Sequence, residues 1–144
     1  MDHRPTAIVT GASRGLGLAL TRALALDGWR VVVDARDPTA LHAAVADLGD
    51  ATVAVPGDIT DASHRAALVT AAGDRLDLLV NNAGGLGPSP LPRLADVPLG
   101  ALRDLVEVNV VAPLALVQAA LPLLRASRGT VVDVTSDAAV EAYE

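Results

Sequence analysis

The 144-residue chain has no cysteine and no lysine; all eleven of its basic residues are arginine. Without Cys there are no disulfides, no thiolate zinc site and no thiol chemistry, a usage that fits a reducing, cytoplasmic setting. Without Lys, any mechanism that requires one is closed to these residues. Tyrosine occurs once, at Tyr143. Long apolar runs are missing too. The longest, Val110 to Val117, contains Pro113 and falls far short of a membrane span, so a soluble chain with no membrane partner is expected. The arginines are scattered singly in a chain of net charge −6, which argues against a nucleic-acid surface. A β-type run starts within about seven residues of Met1, so no signal peptide is expected. His3, His42 and His64 have no partners at ligand spacing, and no metal is expected. Repeats and internal linkers are absent.

What is present is globular. The chain is 51% apolar and 19% charged, and its length permits burial of about 70% of its unfolded surface. One domain, residues 1–144, is expected. Its organising stretch is Thr10-Gly11-Ala12-Ser13-Arg14-Gly15-Leu16-Gly17. A β-type run, Ala7-Ile8-Val9, precedes it, and a helical pattern through Leu16, Ala19, Leu20, Ala23 and Leu24 follows. A strand that turns on glycines into a helix collects unpaired N–H groups and the positive end of the helix dipole at one point, which suits a phosphate. A Cβ there would block the turn and hold a pyrophosphate away from the backbone.

Strand and helix signals then alternate. Arg30–Asp34 reads as a strand, and a helical pattern through Leu41, Val45 and Leu48 stops at Gly49. Ala51–Val55 is a third strand, and Asp61 is placed to cap the helix through Ala67, Leu68 and Ala71. Leu78–Val80 runs into Asn81-Asn82-Ala83-Gly84 and a Gly/Pro-rich loop from Gly85 to Pro92. A long helical region from Pro98 to Ala126 should kink at Pro113 and start a new turn at Pro122. Gly129 resets the chain into a fifth strand, Thr130–Thr135. Apolar strands between amphipathic helices predict a Rossmann-like, three-layer α/β/α fold with a parallel sheet of order 3-2-1-4-5.

These motifs together resemble the short-chain dehydrogenases/reductases over nearly the whole chain. Thr10–Gly17 matches the Thr-Gly-x-x-x-Gly-x-Gly cofactor loop of that family, with Gly11, Ser13, Arg14, Gly15, Leu16 and Gly17 as the candidate contacts. Asp58-Ile59 is similar to the pair that meets the adenine ring, and Asn81-Asn82-Ala83-Gly84 to the motif after strand four. Asn82, Ala83 and Gly84 are therefore candidate cofactor contacts, while Asn81 ties strands together. Asn109 and Ser136 sit where the family carries its catalytic Asn and Ser.

The resemblance implies a nicotinamide dinucleotide and a small carbonyl or alcohol substrate. A carboxylate at the end of strand two usually accepts from the ribose 2′-hydroxyl and selects NAD, and Asp34 is close to that place. By resemblance the deciding position is Ala35, followed by Arg36. Arg36 with Arg14 could clamp a 2′-phosphate, so NADP is favoured and NAD is the alternative.

The family's Tyr-x-x-x-Lys motif is lacking. Tyr143 is followed by Glu144 alone and reads as a loop residue. On this reading the sheet is truncated on its C-terminal side, leaving strand five as an apolar edge and uncovering part of the helix face at Leu105, Leu116 and Leu124. The family's homo-oligomer is then in doubt for this chain. The expected activity is hydride transfer by an NAD(P)-dependent oxidoreductase, with the 144 residues inactive alone. Two alternatives stand beside it: a non-catalytic dinucleotide-binding or regulatory module, and an unstable truncated product.

Overall fold

Short aliphatic-rich runs become strands here, and those at the centre of the sheet, β1 above all, are covered on both faces. In the computed structural model, which describes residues 4–137 and 140, five such runs form one parallel sheet. They are β1 (Thr6–Val9), β2 (Arg30–Val33), β3 (Thr52–Ala54), β4 (Leu78–Asn81) and β5 (Thr130–Asp133). Their spatial order is β3-β2-β1-β4-β5, the expected 3-2-1-4-5. The helices between them are α1 (Gly15–Leu26), α2 (Pro38–Val45), α3 (Ala62–Ala72), α4 (Leu99–Val106) and α5 (Ala112–Ser127).

Register and strand period sort the core into two layers. Ile8 aligns with Val32 on one side and Leu79 on the other. These three point to the face covered by α3 and α5, where Leu68 and Leu116 meet them, all fully buried. Their neighbours Ala7, Val9, Val31, Val33 and Val80 point to the opposite face, against Leu24 of α1 and Leu41 of α2. Each fully buried Leu, Ile or Val contributes about 1.5–3 kcal/mol toward the entropy cost of ordering the chain.

Helix ends follow local chemistry. Asp61 caps α3 as expected, its Oδ1 accepting the Ser63 N–H at 2.9 Å. Asp37 does the same for α2, accepting from Ala40, with Pro38 in the first turn. The second helix stops at Val45 instead of continuing through Leu48. A 3₁₀ segment, Ala46–Ala51, finishes it and turns at Gly49, where φ is +54°.

The long helical region departs further from expectation. The disturbance at Pro113 is a π turn, Glu107–Val111, that joins α4 to α5. Pro122 begins no new turn. It lies inside α5, and the carbonyl of Gln118 that its missing N–H leaves unbonded belongs to an exposed residue. The result is a 29-residue rod, Leu99–Ser127, long and apolar enough by length and composition to cross a bilayer, unlike the short apolar run read from the sequence. In this fold its stripe Ala112, Leu116, Ala120 and Leu124 packs into the core. The expected uncovering at Leu116 and Leu124 is therefore wrong. They belong to an i, i+4 row that faces the sheet, and the exposed apolar side chains of the rod include Leu102, Val106, Val110 and Leu114.

β5 pairs only with β4 among the described residues, and Val131 and Val132 are exposed on it. Asn81 ties the two strands as expected, donating from Nδ2 to Asp133 Oδ1 at 2.7 Å. At the other ends of the strands, Asp77 holds the starts of β1 and β4 together. Its Oδ2 accepts the Thr6 N–H at 2.9 Å and Arg75 Nε at 2.7 Å, and its Oδ1 accepts Arg75 Nη2 at 2.7 Å. The Arg75 side-chain bonds, with help from the Thr6 amide, hold the Asp77 carboxyl below its usual range.

Asp77→Ala is expected to destabilise the chain by about 2 kcal/mol in urea denaturation, because it strands the first amide of β1. The pH sign follows from the depressed pKa. The contribution is complete above the ordinary carboxylate pKa of about 3.9 and is lost as pH falls through the lower folded value. Acid titration of the wild type and of Asp77→Ala should therefore converge at the acid end.

Candidate functional site

Parallel strands place all their C-terminal ends on one edge, and the loops there are tied together by Thr10. Its hydroxyl donates to the Val80 carbonyl at 3.3 Å and accepts the N–H groups of Asn82 and Ala83 at 3.0 and 2.9 Å. Asn82 answers with Nδ2, which donates to the carbonyls of Thr10 and Gly11 at 3.0 and 3.2 Å. The glycine loop is thus fastened to β4. Gly11 adopts φ +67°, and a Cβ on Gly17 would collide with the Gly11 carbonyl and the Asn82 amide. No side chain caps α1, so its first-turn N–H groups face the opening beyond Gly15.

That opening is a cleft of about 660 Å³ at the strand ends. Gly11, Ser13, Arg14 and Gly15 line it from the loop, Ala35 and Arg36 from the end of β2, and Asp58 and Ile59 from the segment after β3. Asn82, Ala83 and Gly84 close it beside β4, with Asp104, Glu107 and Val108 of the long helix opposite. Most of the sequence-derived candidates are thereby brought together. Four are not in the lining. Leu16 is exposed on the first turn of α1, Gly17 is buried beneath the loop, and Asn109 and Ser136 stand outside.

Asn109 sits in the π turn and spends its amide on one residue. Its Oδ1 accepts the Gly85 N–H at 3.1 Å and its Nδ2 donates to the Gly85 carbonyl at 2.9 Å. The side chain fixes the loop after β4. Ser136 follows β5, and its hydroxyl donates to Asp137 Oδ1 at 3.2 Å. Asp58 both lines the cleft and closes its own turn. Its Oδ1 accepts the Thr60 N–H at 2.9 Å and hydroxyl at 2.8 Å, and these bonds, more than the nearby Arg36 and His64, hold its carboxyl below the usual range. It is an anion at neutral pH.

What sequence reasoning missed is the pairing of Asp34 with His64. Asp34, expected near the ribose position, is buried at 2% exposure; its Oδ1 accepts the Gly11 N–H at 2.7 Å. His64, read as partnerless, places Nε2 3.0 Å from Asp34 Oδ2 with its ring 7% exposed. Thirty residues separate the pair, and nothing in either local pattern announces it. Tyr143 and His3 lie outside the described residues.

The family model for short chain dehydrogenase matches residues 5–144. The chain belongs to the short-chain dehydrogenase family. L-fucose dehydrogenase of Mus musculus is 38% identical to it over 132 residues, which cover 90% of this chain and 47% of that protein. Serine 3-dehydrogenase of Agrobacterium fabrum is 37% identical over 142 residues, covering 96% and 56%. Among solved structures, the KRED1-Pglu enzyme superposes with a TM-score of 0.90 at 32% identity, covering 97% of this chain and 60% of its own. A short-chain dehydrogenase from Streptomyces avermitilis gives 0.87, also at 32% identity. The chain spans about half the length of the curated relatives it matches. In this member of the family, as in any open α/β sheet, the cleft lies where the winding reverses, between β1 and β4.

Proposed function

We propose that residues 1–144 are the nicotinamide dinucleotide-binding domain of an oxidoreductase that interconverts a small carbonyl compound and its alcohol, and that NADP is the preferred cofactor. The observation that carries this reading is the glycine cradle. A tight approach below Gly17, an uncapped helix N-terminus and a cleft of about 660 Å³ meet at one point, which fits a pyrophosphate. Gly11, Ser13, Gly15 and the first turn at Leu16 would hold it. Ile59 and Asp58 would flank the adenine, Asp58 accepting its amine. Asn82, with its donor half spent on the loop, would offer Oδ1 to a sugar hydroxyl, beside Ala83 and Gly84.

When bound, the nicotinamide supplies or accepts the hydride. Ser136 holds the substrate oxygen by a hydrogen bond, and Asn109 keeps the loop at Gly85 in place and contributes to the path for the proton. The proton donor itself would come from a Tyr-x-x-x-Lys pair, for which these residues hold no lysine. The lack of cysteine suits a cytoplasmic protein, and the exposed row Leu102, Val106, Val110 and Leu114 suits self-association.

The NADP preference rests on Arg14 and Arg36, which border the cleft, and on the uncharged Ala35 beside them. Charge-assisted hydrogen bonds of about 1.5–3 kcal/mol each support a preference of at least tenfold for NADPH over NADH. Fluorescence titration of the chain with both nucleotides tests it. Equal affinities, or a preference for NADH that Asp34→Ala reverses, would sink the assignment.

A further inference from the structure

The carboxylate nearest the position that decides between NAD and NADP is that of Asp34, one residue before Ala35, and in this chain it is buried and held at both oxygens. Oδ1 accepts the Gly11 amide at 2.7 Å, and Oδ2 takes His64 Nε2 at 3.0 Å. A carboxylate only accepts, so Nε2 carries the hydrogen of that bond. The backbone is drawn in as well, since the Asp34 carbonyl accepts the Ala12 N–H at 2.8 Å. His64 reaches this place because it sits in the first turn of α3, directly over Gly57, where a Cβ would collide with the imidazole ring. Gly57 is thus matched to the histidine. A larger residue there would force the imidazole to shift.

From these contacts we infer that His64 is a specificity-positioning residue: by holding Asp34 Oδ2 it keeps the carboxylate away from the ribose pocket and leaves the 2′ position to Arg14 and Arg36. The inference rests on the dinucleotide reading above and deepens it. Asp34 is among the residues that line the cleft, so the group that holds Oδ2 bears on whether the carboxylate can turn toward a 2′-hydroxyl. A free carboxylate would accept from the hydroxyl of NADH and repel the 2′-phosphate of NADPH. With His64 in place it does neither.

The test is titration of the 144-residue chain with NADPH and with NADH, read as the ratio of the two affinities. His64→Ala is expected to lower the NADPH:NADH ratio at least about tenfold, and adding Asp34→Asn to it should restore the wild-type ratio. Asp34→Asn alone should leave the ratio unchanged, since an asparagine can accept from Gly11 and donate to His64. A histidine that only supported the fold would weaken both nucleotides alike and leave the ratio where it was. An unmoved ratio in His64→Ala, or one that stays low in the double variant, overturns the inference alone. Should His64→Ala fail to fold, the single Asp34→Asn variant decides: a changed ratio means that the carboxylate already reaches the ribose, which overturns it. Failure of the unchanged, folded chain to bind either nucleotide overturns the dinucleotide reading and this inference with it.

Discussion

Replacing Gly17 by alanine is expected to lower nicotinamide dinucleotide affinity by at least about a hundredfold, close to 2.7 kcal/mol. The added methyl would meet the Gly11 carbonyl and the Asn82 side-chain amide, both on the network that fastens the glycine loop to β4. Neither neighbour is the free end of a flexible chain. The loop must move outward, and with it the first-turn N–H groups of α1 that the pyrophosphate would use. The sheet itself is untouched, because Gly17 lies beyond β1 and the added methyl would meet Gly11 and Asn82, which follow the ends of β1 and β4. Far-ultraviolet circular dichroism should therefore be unchanged while the nucleotide titration is lost. An affinity within threefold of wild type would mean that the loop is not the phosphate cradle. Gly15, whose Cβ position is open, is a poorer choice for this purpose because strain at its φ of +57° would mix with the steric effect.

A second large effect concerns turnover. The 144-residue chain is expected to give no steady-state hydride transfer with any ketone or aldehyde, although it binds nucleotide. Its cleft supplies position, but a proton must be delivered at neutral pH. A lone phenol near its ordinary pKa of about 10 is a poor donor without a neighbouring ammonium, and the chain has no lysine. A positioned acid/base contributes about 10²–10⁴-fold. Placing a Tyr-x-x-x-Lys helix from a relative after residue 144 should bring activity back. In that longer protein, Ser136→Ala should remove most of it, since the substrate oxygen loses its hydrogen bond. Following NADPH absorbance for the short and the extended chains checks both statements. Turnover by the short chain that survives Ser136→Ala would show that other residues run the chemistry.

How much of this was legible in the sequence depended on whether a signal was local. Strand order, the glycine loop and the Asp61 cap were readable because each is written within a few neighbouring residues: aliphatic runs, three glycines at a strand–helix junction, an Asp before a helix. Asn81 was readable as a strand tie from its place at the end of β4. What escaped was non-local or depended on packing. The Asp34–His64 pair joins residues thirty apart, and its only trace is a small residue, Gly57, that could equally mark a turn. The long helix was misjudged at Pro122 because the cost of a proline is set by whether its orphaned carbonyl reaches water, and the exposure of Gln118 is a property of the fold. The uncovered face was misjudged for a similar reason. Leu116 and Leu124 lie on the row that meets the sheet, and the π turn at Glu107–Val111 sets the relation of that row to α4. Asn109 is readable as a residue of the long helical region, but its bidentate grip on Gly85 could not be foreseen from a single asparagine in a helix.

The central claim, that this chain is the dinucleotide-binding part of a short-chain oxidoreductase, is tested most directly by a crystal structure of the chain with NADPH. The account predicts the pyrophosphate against the Gly11–Gly15 loop at the start of α1, the adenine between Ile59 and Asp58, and the 2′-phosphate within hydrogen-bond distance of Arg14 and Arg36. Asp34 should still be turned onto His64. A nucleotide bound elsewhere, or a cleft at β1 and β4 that stays empty at saturating NADPH, would contradict it.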